Sequence, residues 1–193
     1  MSKSVTVATT RELLLDAAYD AALAGDWERV RMADVARAAG VSRQTLYYEF
    51  GSKDKVAEAV ALREAARWIA GAEAAVVGHE GSPSEAIAAG TQWTLEEAER
   101  NPLLKAVLTD DVGGLLPYLT TRAELLQTAA RDHCAQHLSA HWPGIATERV
   151  RLVADTVTRM QFSHLLLPGG RPEQVAHDIA LLVDALLSEE GPA

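Results

Sequence analysis

The amino-acid sequence predicts an all-α protein of about nine helices, and three observations carry that reading. Aromatic residues make up only 5% of the 193 positions while Ala and Leu abound, a balance that favours helix over strand. Nearly every interruption of the apolar periodicity is a helix start or stop signal. No stretch alternates apolar and polar residues between hairpin-type turns. With 48% hydrophobic and 23% charged residues, the composition is that of an ordinary globular chain, long enough to bury a core.

Taken in order, Thr9-x-x-Glu12 is a capping box that opens a helix closing near Gly25. Two short helices follow, over 32–39 and 42–49. Gly51-Ser52 then begins a long fourth helix, from Ser52 to about Val77, in which Ala57, Val60, Ala61, Glu64, Ala65 and Trp68 recur at three- and four-residue spacing. Ser82-Pro83-Ser84-Glu85 places Pro at the first helical position inside a capping box, and Asn101-Pro102 repeats that signal. Thr121-x-x-Glu124 is a further box, Thr147-Glu148 opens the eighth helix and Pro172-Glu173 the ninth. Pro168-Gly169-Gly170 separates the last two.

Charge is unevenly spread. Residues 1–55 hold eight Lys/Arg against eight Asp/Glu, whereas 56–193 hold ten against nineteen and so carry the whole net charge of −9. A neutral head on an acidic body means that only the head can approach a polyanion. The expected division is therefore a domain over 1–55 and a second over 56–193. The single cysteine, Cys134, cannot form an internal disulfide, no apolar run reaches a membrane-spanning length, and the N-terminus lacks a signal peptide's apolar core. A cytoplasmic protein is the expectation, without a membrane partner.

Residues 30–55, VRMADVARAAGVSRQTLYYEFGSKDK, carry the functional signal. Two short helices meet at Ala39-Gly40-Val41, where Gly40 can adopt the positive φ of a tight turn and Ala36 is small enough for a close crossing. Val35, Val41, Leu46 and Phe50 are the apolar pins of a helix-turn-helix. Counting about 100° per residue from an inward Leu46, Phe50 and Ser42 fall within about 40° of it, Gln44 and Tyr48 point almost directly outward, and Thr45 and Tyr47 flank them. A merely soluble face would more often carry Glu and Lys. Gln can bond an adenine edge, Thr and Tyr can touch a thymine methyl or a phosphate, and Arg43 can reach guanine. Lys53, at the start of the next helix, is placed to clamp a backbone phosphate. The competing reading is a small three-helix unit with exposed tyrosines.

The run Val41-Ser42-Arg43-Gln44-Thr45-Leu46-Tyr47-Tyr48-Glu49-Phe50-Gly51-Ser52-Lys53, preceded by Asp34-Val35-Ala36 and Ala39-Gly40, resembles the N-terminal DNA-binding domain of the TetR family of transcriptional regulators over about residues 10–57. The resemblance implies a homodimer on a near-palindromic operator, most often a repressor, with a C-terminal body that binds a small effector and then releases DNA. Carried over position by position, it implies that Arg43, Gln44, Thr45 and Tyr48 read bases while Tyr47 and Lys53 hold phosphates. Two positions depart from the pattern. Arg31 stands where the family usually has a Ser or Thr cap, so it can reach a phosphate but cannot cap. Glu49 replaces a phosphate-compatible residue and is expected to turn away, pairing with Arg43 or Lys53.

In the body, Val150, Val153, Ala154, Val157, Met160 and Leu165 recur at helical spacing, as do Val175, Ile179, Leu182, Val183, Leu186 and Leu187. Two neighbouring helices with surplus apolar surface suit an isologous four-helix dimer interface, expected at Val153, Val157, Ile179, Leu182, Val183 and Leu186; the alternative is that both stripes face the chain's own core. An effector pocket is expected among Trp68, Trp93, Leu108, Tyr118, Met160, Gln161 and His164, with Leu104, Leu115, Leu126 and Phe162 as further lining. Large apolar side chains and few charges favour a lipophilic effector. Asn101-Pro102-Leu103-Leu104-Lys105, Leu115 to Arg122 and Leu167-Pro168-Gly169-Gly170 are similar to a subgroup of these regulators associated with lipid or alkane metabolism.

His133, His137 and His141 stand four apart with Cys134 beside the first, but no third ligand type completes a zinc set and no base activates the thiol. Glu96, Glu97, Glu99, Asp110 and Asp111 read as solvated surface or helix ends. No glycine-rich phosphate loop or nucleophile elbow is present, so neither an enzyme nor a cofactor is expected. Two other classes remain to be weighed: a helical enzyme or carrier using the body's apolar cavity, and a non-specific DNA binder. The second would rely on basic residues aimed at phosphate rather than on Gln44 and Arg43.

Overall fold

Several helices begin where a side chain or a proline relieves the unpaired N–H groups of the first turn. The computed structural model describes residues 8–24, 27–79, 81–108, 116–120 and 122–188, without the side chains of Ala106, Leu116 and Tyr118. Among them are α1 (Thr10–Leu23), a 3-10 turn (Trp27–Arg29), α2 (Met32–Ala38), α3 (Arg43–Phe50), α4 (Lys53–Val76), α5 (Pro83–Arg100), α6 (Pro102–Leu108), α7 (Leu116–Leu119), α8 (Glu124–His141), α9 (Thr147–Leu166) and α10 (Pro172–Leu187). The described residues contain no strand. Nine helices span seven residues or more, as the sequence predicts; α7 is a single turn of four, too short to leave a periodic signature.

The predicted caps form at α1 and α5. Thr9 accepts from the Glu12 N–H at 3.2 Å while the Glu12 carboxylate accepts from the Thr9 N–H at 2.6 Å. These bonds hold the Glu12 carboxyl below the usual carboxylate range. Ser82 caps α5 by accepting from the Glu85 N–H, with Pro83 at the first helical position. α8 begins at Glu124 with Ala123 in the cap position and no side-chain cap bond. Gly25, Leu115, Thr121, Asp110 and Asp111 lie outside the described residues, as does the side chain of Tyr118.

The chain divides into two compact units, one formed by residues 1–63 with 102–120 and the other by 64–101 with 121–193. This differs from the boundary expected at residue 55. Val56, Ala57 and Val60 are fully buried with Leu14, Ala18, Ala22, Trp27, Val35, Leu46 and Phe50 in the core of the first unit. Val107 of α6 joins that core and Leu103 packs against it. Long-range pairing reinforces it. Arg63 donates from Nη1 to Asp16 at 2.7 Å and from Nη2 to the Leu15 carbonyl at 3.0 Å, tying α4 to α1.

In the second unit, Leu95, Leu138, Val150, Val153, Val157, Val175, Ile179 and Val183 form a common core. α10 packs most extensively on α5, and α9 on α8. Arg149 donates to the Leu187 and Ser188 carbonyls at 2.9 and 2.6 Å, satisfying the last turn of α10. The burial corrects part of the expected dimer face. Val153, Val157, Ile179 and Val183 are at most 2% exposed within the protomer itself, because the α8 and α5 partners that cover them are supplied by the same chain. On α9 and α10 the exposed large apolar side chains are instead Leu152, Leu181 and Leu182, with Leu186 half-buried.

The second half of α4 meets α5 at Gly71, where the Trp93 indole lies so close that a Cβ would sit 2.0 Å from its ring. Gly71→Ala must displace the indole. A loss of about 1–3 kcal/mol is expected, read as a lower Tm by calorimetry, with Gly71→Ala/Trp93→Leu recovering part of it. An unchanged Tm in the single variant would disprove the contact.

Candidate nucleic-acid interface

The turn before α3 is built by hydrogen bonds that only a left-handed residue permits. Gly40, at φ 70°, lets its N–H reach the Arg37 carbonyl at 3.1 Å and the Val41 N–H reach that of Ala36 at 2.9 Å, a Schellman closure of α2. Ser42 then caps α3, its Oγ accepting from the Thr45 N–H at 3.0 Å. Gly51, at φ 78°, ends the helix with its N–H on the Tyr47 carbonyl at 2.8 Å. A helix of eight residues is thus fixed at both ends, and fully buried Leu46 and nearly buried Phe50 seat it in the head core. The Arg11 guanidinium lies 4.5 Å from the Phe50 ring centroid, covering this seat from α1.

The opposite side is open. Arg43, Gln44, Tyr48 and Glu49 are exposed, Tyr48 to 88%. Neither the Gln44 amide nor the Tyr48 hydroxyl has a hydrogen bond to any other described residue, so these side-chain polar groups answer only to solvent or a partner. Thr45 is half-buried and its hydroxyl lies 2.8 Å from Ser42 Oγ. Tyr47 is half-buried too and packs on the head core, with the Arg43 guanidinium 5.2 Å from its ring centroid. Arg31 occupies the cap position of α2 with extended backbone (φ −94°, ψ 131°) and makes no capping bond, as its side chain dictates.

One expectation requires correction. Glu49 pairs with neither Arg43, which covers Tyr47, nor Lys53, whose ammonium is held elsewhere. Lys53 donates at 2.8 Å to both the Glu28 and Val30 carbonyls and lies 5.5 Å from the Trp27 ring centroid, so two of its three donors bind the protein itself. Sequence spacing alone does not reveal a contact across 23 to 25 residues.

The expected pocket residues do not all fall in one unit. Trp68, Trp93, Met160, Gln161 and His164 belong to the second; Leu108, 36% exposed, and the backbone of Tyr118 belong to the first. Within the second unit, Gln161 Nε2 donates to Thr91 Oγ1 at 2.8 Å, and Thr91, fully buried, is a polar residue the sequence reading missed. Trp68 Nε1 and His164 Nδ1 are buried without a hydrogen-bond partner among the described residues, and the His164 ring lies beneath Gly169. A cleft of about 610 Å³ opens between α5 and α10, where Glu85, Glu173, His177 and Asp184 alternate with Ala88, Ala176, Ala180 and Leu181; none of the expected pocket residues lines it.

On α8, His137 and His141 stack with ring centroids 4.1 Å apart, Trp142 lies against both, and His141 Nδ1 is 3.0 Å from the His137 carbonyl. No group of three ligating side chains is gathered among the described residues. Burial pushes the Cys134 thiol up to about 12, leaving it protonated and poorly nucleophilic at neutral pH. No helix of the described residues is long and apolar enough to cross a membrane.

Residues 14–60 match the family of bacterial regulatory proteins of the tetR type, and residues 83–185 match the bacterial tetracyclin repressor C-terminal domain. The HTH-type transcriptional regulator AlkX of Mycobacterium tuberculosis (strain ATCC 25618 / H37Rv) is 31% identical over 185 residues, covering 95% of this chain and 88% of the relative. The crystal structure of the TetR family repressor AlkX from Dietzia sp. strain DQ12-45-1b, implicated in biodegradation of n-alkanes, is similar at a TM-score of 0.75 and 32% identity, covering 93% of this chain and 95% of that one. The R. erythropolis transcriptional repressor QsdR shares the fold at a TM-score of 0.64 and 19% identity, over 92% and 94% of the two chains. With one family domain over more than half its length, another over its helix-turn-helix, and a relative aligned along nearly all of it, the chain belongs to the TetR family of DNA-binding transcriptional regulators.

Proposed function

We propose that this regulator is a dimeric repressor that reads a near-palindromic operator through α3 and leaves it when a small lipophilic effector occupies the second unit. The observation that carries the reading is the outward edge of α3, where the Gln44 and Tyr48 side chains make no internal hydrogen bond while Leu46 and Phe50 lock the helix in place. Gln44 offers a bidentate pair to an adenine edge, Arg43 a fork to guanine, and Tyr48 a ring and hydroxyl to a thymine methyl or phosphate. Arg31 supplies a phosphate contact from the start of α2. Thr45 and Tyr47, half-buried, fit a flanking role. Residues 1–55 carry this reading surface, and effector binding and dimerisation are assigned to the second unit.

A dimer would present two α3 helices about 34 Å apart, one DNA turn. Leu152 and Leu182 are the residues we assign to the interface, with half-buried Leu186 at its edge, since exposed leucines on α9 and α10 cost free energy in water. The relative implicated in n-alkane biodegradation supports an apolar effector. Trp68, Trp93, Met160, Gln161 and His164 are the lining we favour, and the partnerless Trp68 and His164 nitrogens suit a guest with at least one hydrogen-bonding atom. α4 has residues in both units, so a shift of its second half is the covalent route to the heads. Occupancy would then change the spacing of the heads and cost operator affinity. Catalysis is no part of this reading.

Selection of bound fragments from the source genome would identify the operator. On it, Gln44→Ala and Tyr48→Ala are each expected to reduce discrimination against scrambled DNA, by about 1–3 kcal/mol for the glutamine, with Tm unchanged; undiminished discrimination in both would remove the base contacts from α3. Leu152→Glu with Leu182→Glu is expected to give a monomer by sedimentation and to weaken operator binding, and a variant that stays dimeric would place the interface elsewhere.

A further inference from the structure

We propose that Lys53 is a positioning residue that holds the approach to α2, and through it Arg31, in the geometry for DNA, rather than a phosphate clamp. The inference rests on the reading that Arg31 contacts a phosphate.

Val30 packs on the head core, but the backbone of Arg31 between the 3-10 turn and α2 has no side-chain cap to orient it. The turn is three residues long and closes with the Val30 N–H on the Trp27 carbonyl at 3.1 Å. Arg31 follows in extended conformation, without the side-chain cap that fixes a helix start and is worth about 1 kcal/mol. The Asp34 and Val35 N–H groups both bond the Arg31 carbonyl, at 2.9 and 3.3 Å, so the first turn of α2 depends on the orientation of that one residue. Lys53 provides the missing restraint. Its Nζ bonds the carbonyls of Glu28 and Val30, on either side of Arg29 and immediately before Arg31, and rests near the face of buried Trp27. The Val30 carbonyl belongs to the peptide whose N–H is that of Arg31, so holding the oxygen sets the direction of the plane. Lys53 itself is fixed as the first residue of α4, whose next turns bury Val56, Ala57 and Val60 in the same core. A charged donor makes the stronger class of hydrogen bond, and the tether replaces locally what an uncapped α2 lacks.

Lys53→Met removes the donors, and Lys53→Arg retains a cation able to reach two carbonyls. If Lys53 positions, Lys53→Met should accelerate amide exchange at Asp34 and Val35 in the DNA-free protein by about tenfold, should lower operator affinity without changing the slope of log K against log salt, and should abolish the further loss caused by Arg31→Ala; Lys53→Arg should restore all three. A slope reduced by about 0.9 in Lys53→Met, with exchange unchanged, would make Lys53 a phosphate contact and overturn the proposal. Should Lys53→Met not fold, acetylation of the wild-type protein decides: without DNA, Lys53 should react several-fold more slowly in the folded protein than in the urea-unfolded chain, and equal rates would overturn the tether. Loss of the operator-dependent effects alone, with the exchange and acetylation results intact, would instead remove Arg31 from the DNA contact.

Discussion

The burial of one face of α3 is the constraint on which the rest depends. Eight residues are too few for a helix to persist in water on propensity alone, so α3 exists because Leu46 and Phe50 are withdrawn from solvent into a core supplied by α1, α2 and α4. That burial consumes a single stripe of the helix. The opposite stripe then has no structural duty, and polar groups there can remain unpaired in the free protein without cost because water satisfies them. A surface for recognition follows from a packing requirement met entirely from behind.

The same economy governs the cations. The first unit's arginines and lysines divide into those bound inside the fold and those facing outward. Arg63 is held by Asp16 and the Leu15 carbonyl, and Lys53 by two carbonyls. Arg31 is outside, and Arg43 is exposed along Tyr47. A head with no net charge can therefore still present positive groups where α2 and α3 begin, while the residues that follow keep the acidic excess. Counting charges over a domain does not reveal this division; geometry does.

In the second unit the controlling term is apolar burial between α5, α8, α9 and α10. The stripes Val153, Val157 and Val175, Ile179, Val183 serve the protomer first. The large apolar side chains that α9 and α10 leave uncovered are Leu152, Leu181 and Leu182. A stripe facing a sister subunit and a stripe facing the chain's own core obey the same repeat.

Local rules were enough to write much of this molecule in one dimension. The Thr9–Glu12 box, the cap at Ser42, the positive φ at Gly40 and the inward Leu46 follow from side-chain reach, backbone sterics and a 3.6-residue period, all of which act within a turn or two. The TetR-like head and the direction in which Gln44 and Tyr48 point were legible for that reason. Contacts between residues far apart in the chain obey no such period. The joining of α6 to the head core, the burial of Thr91 against Gln161, the seat of Trp93 on Gly71 and the capture of Lys53 by carbonyls before α2 were decided only when the helices packed, because each depends on which surfaces tertiary folding brings within a few ångströms.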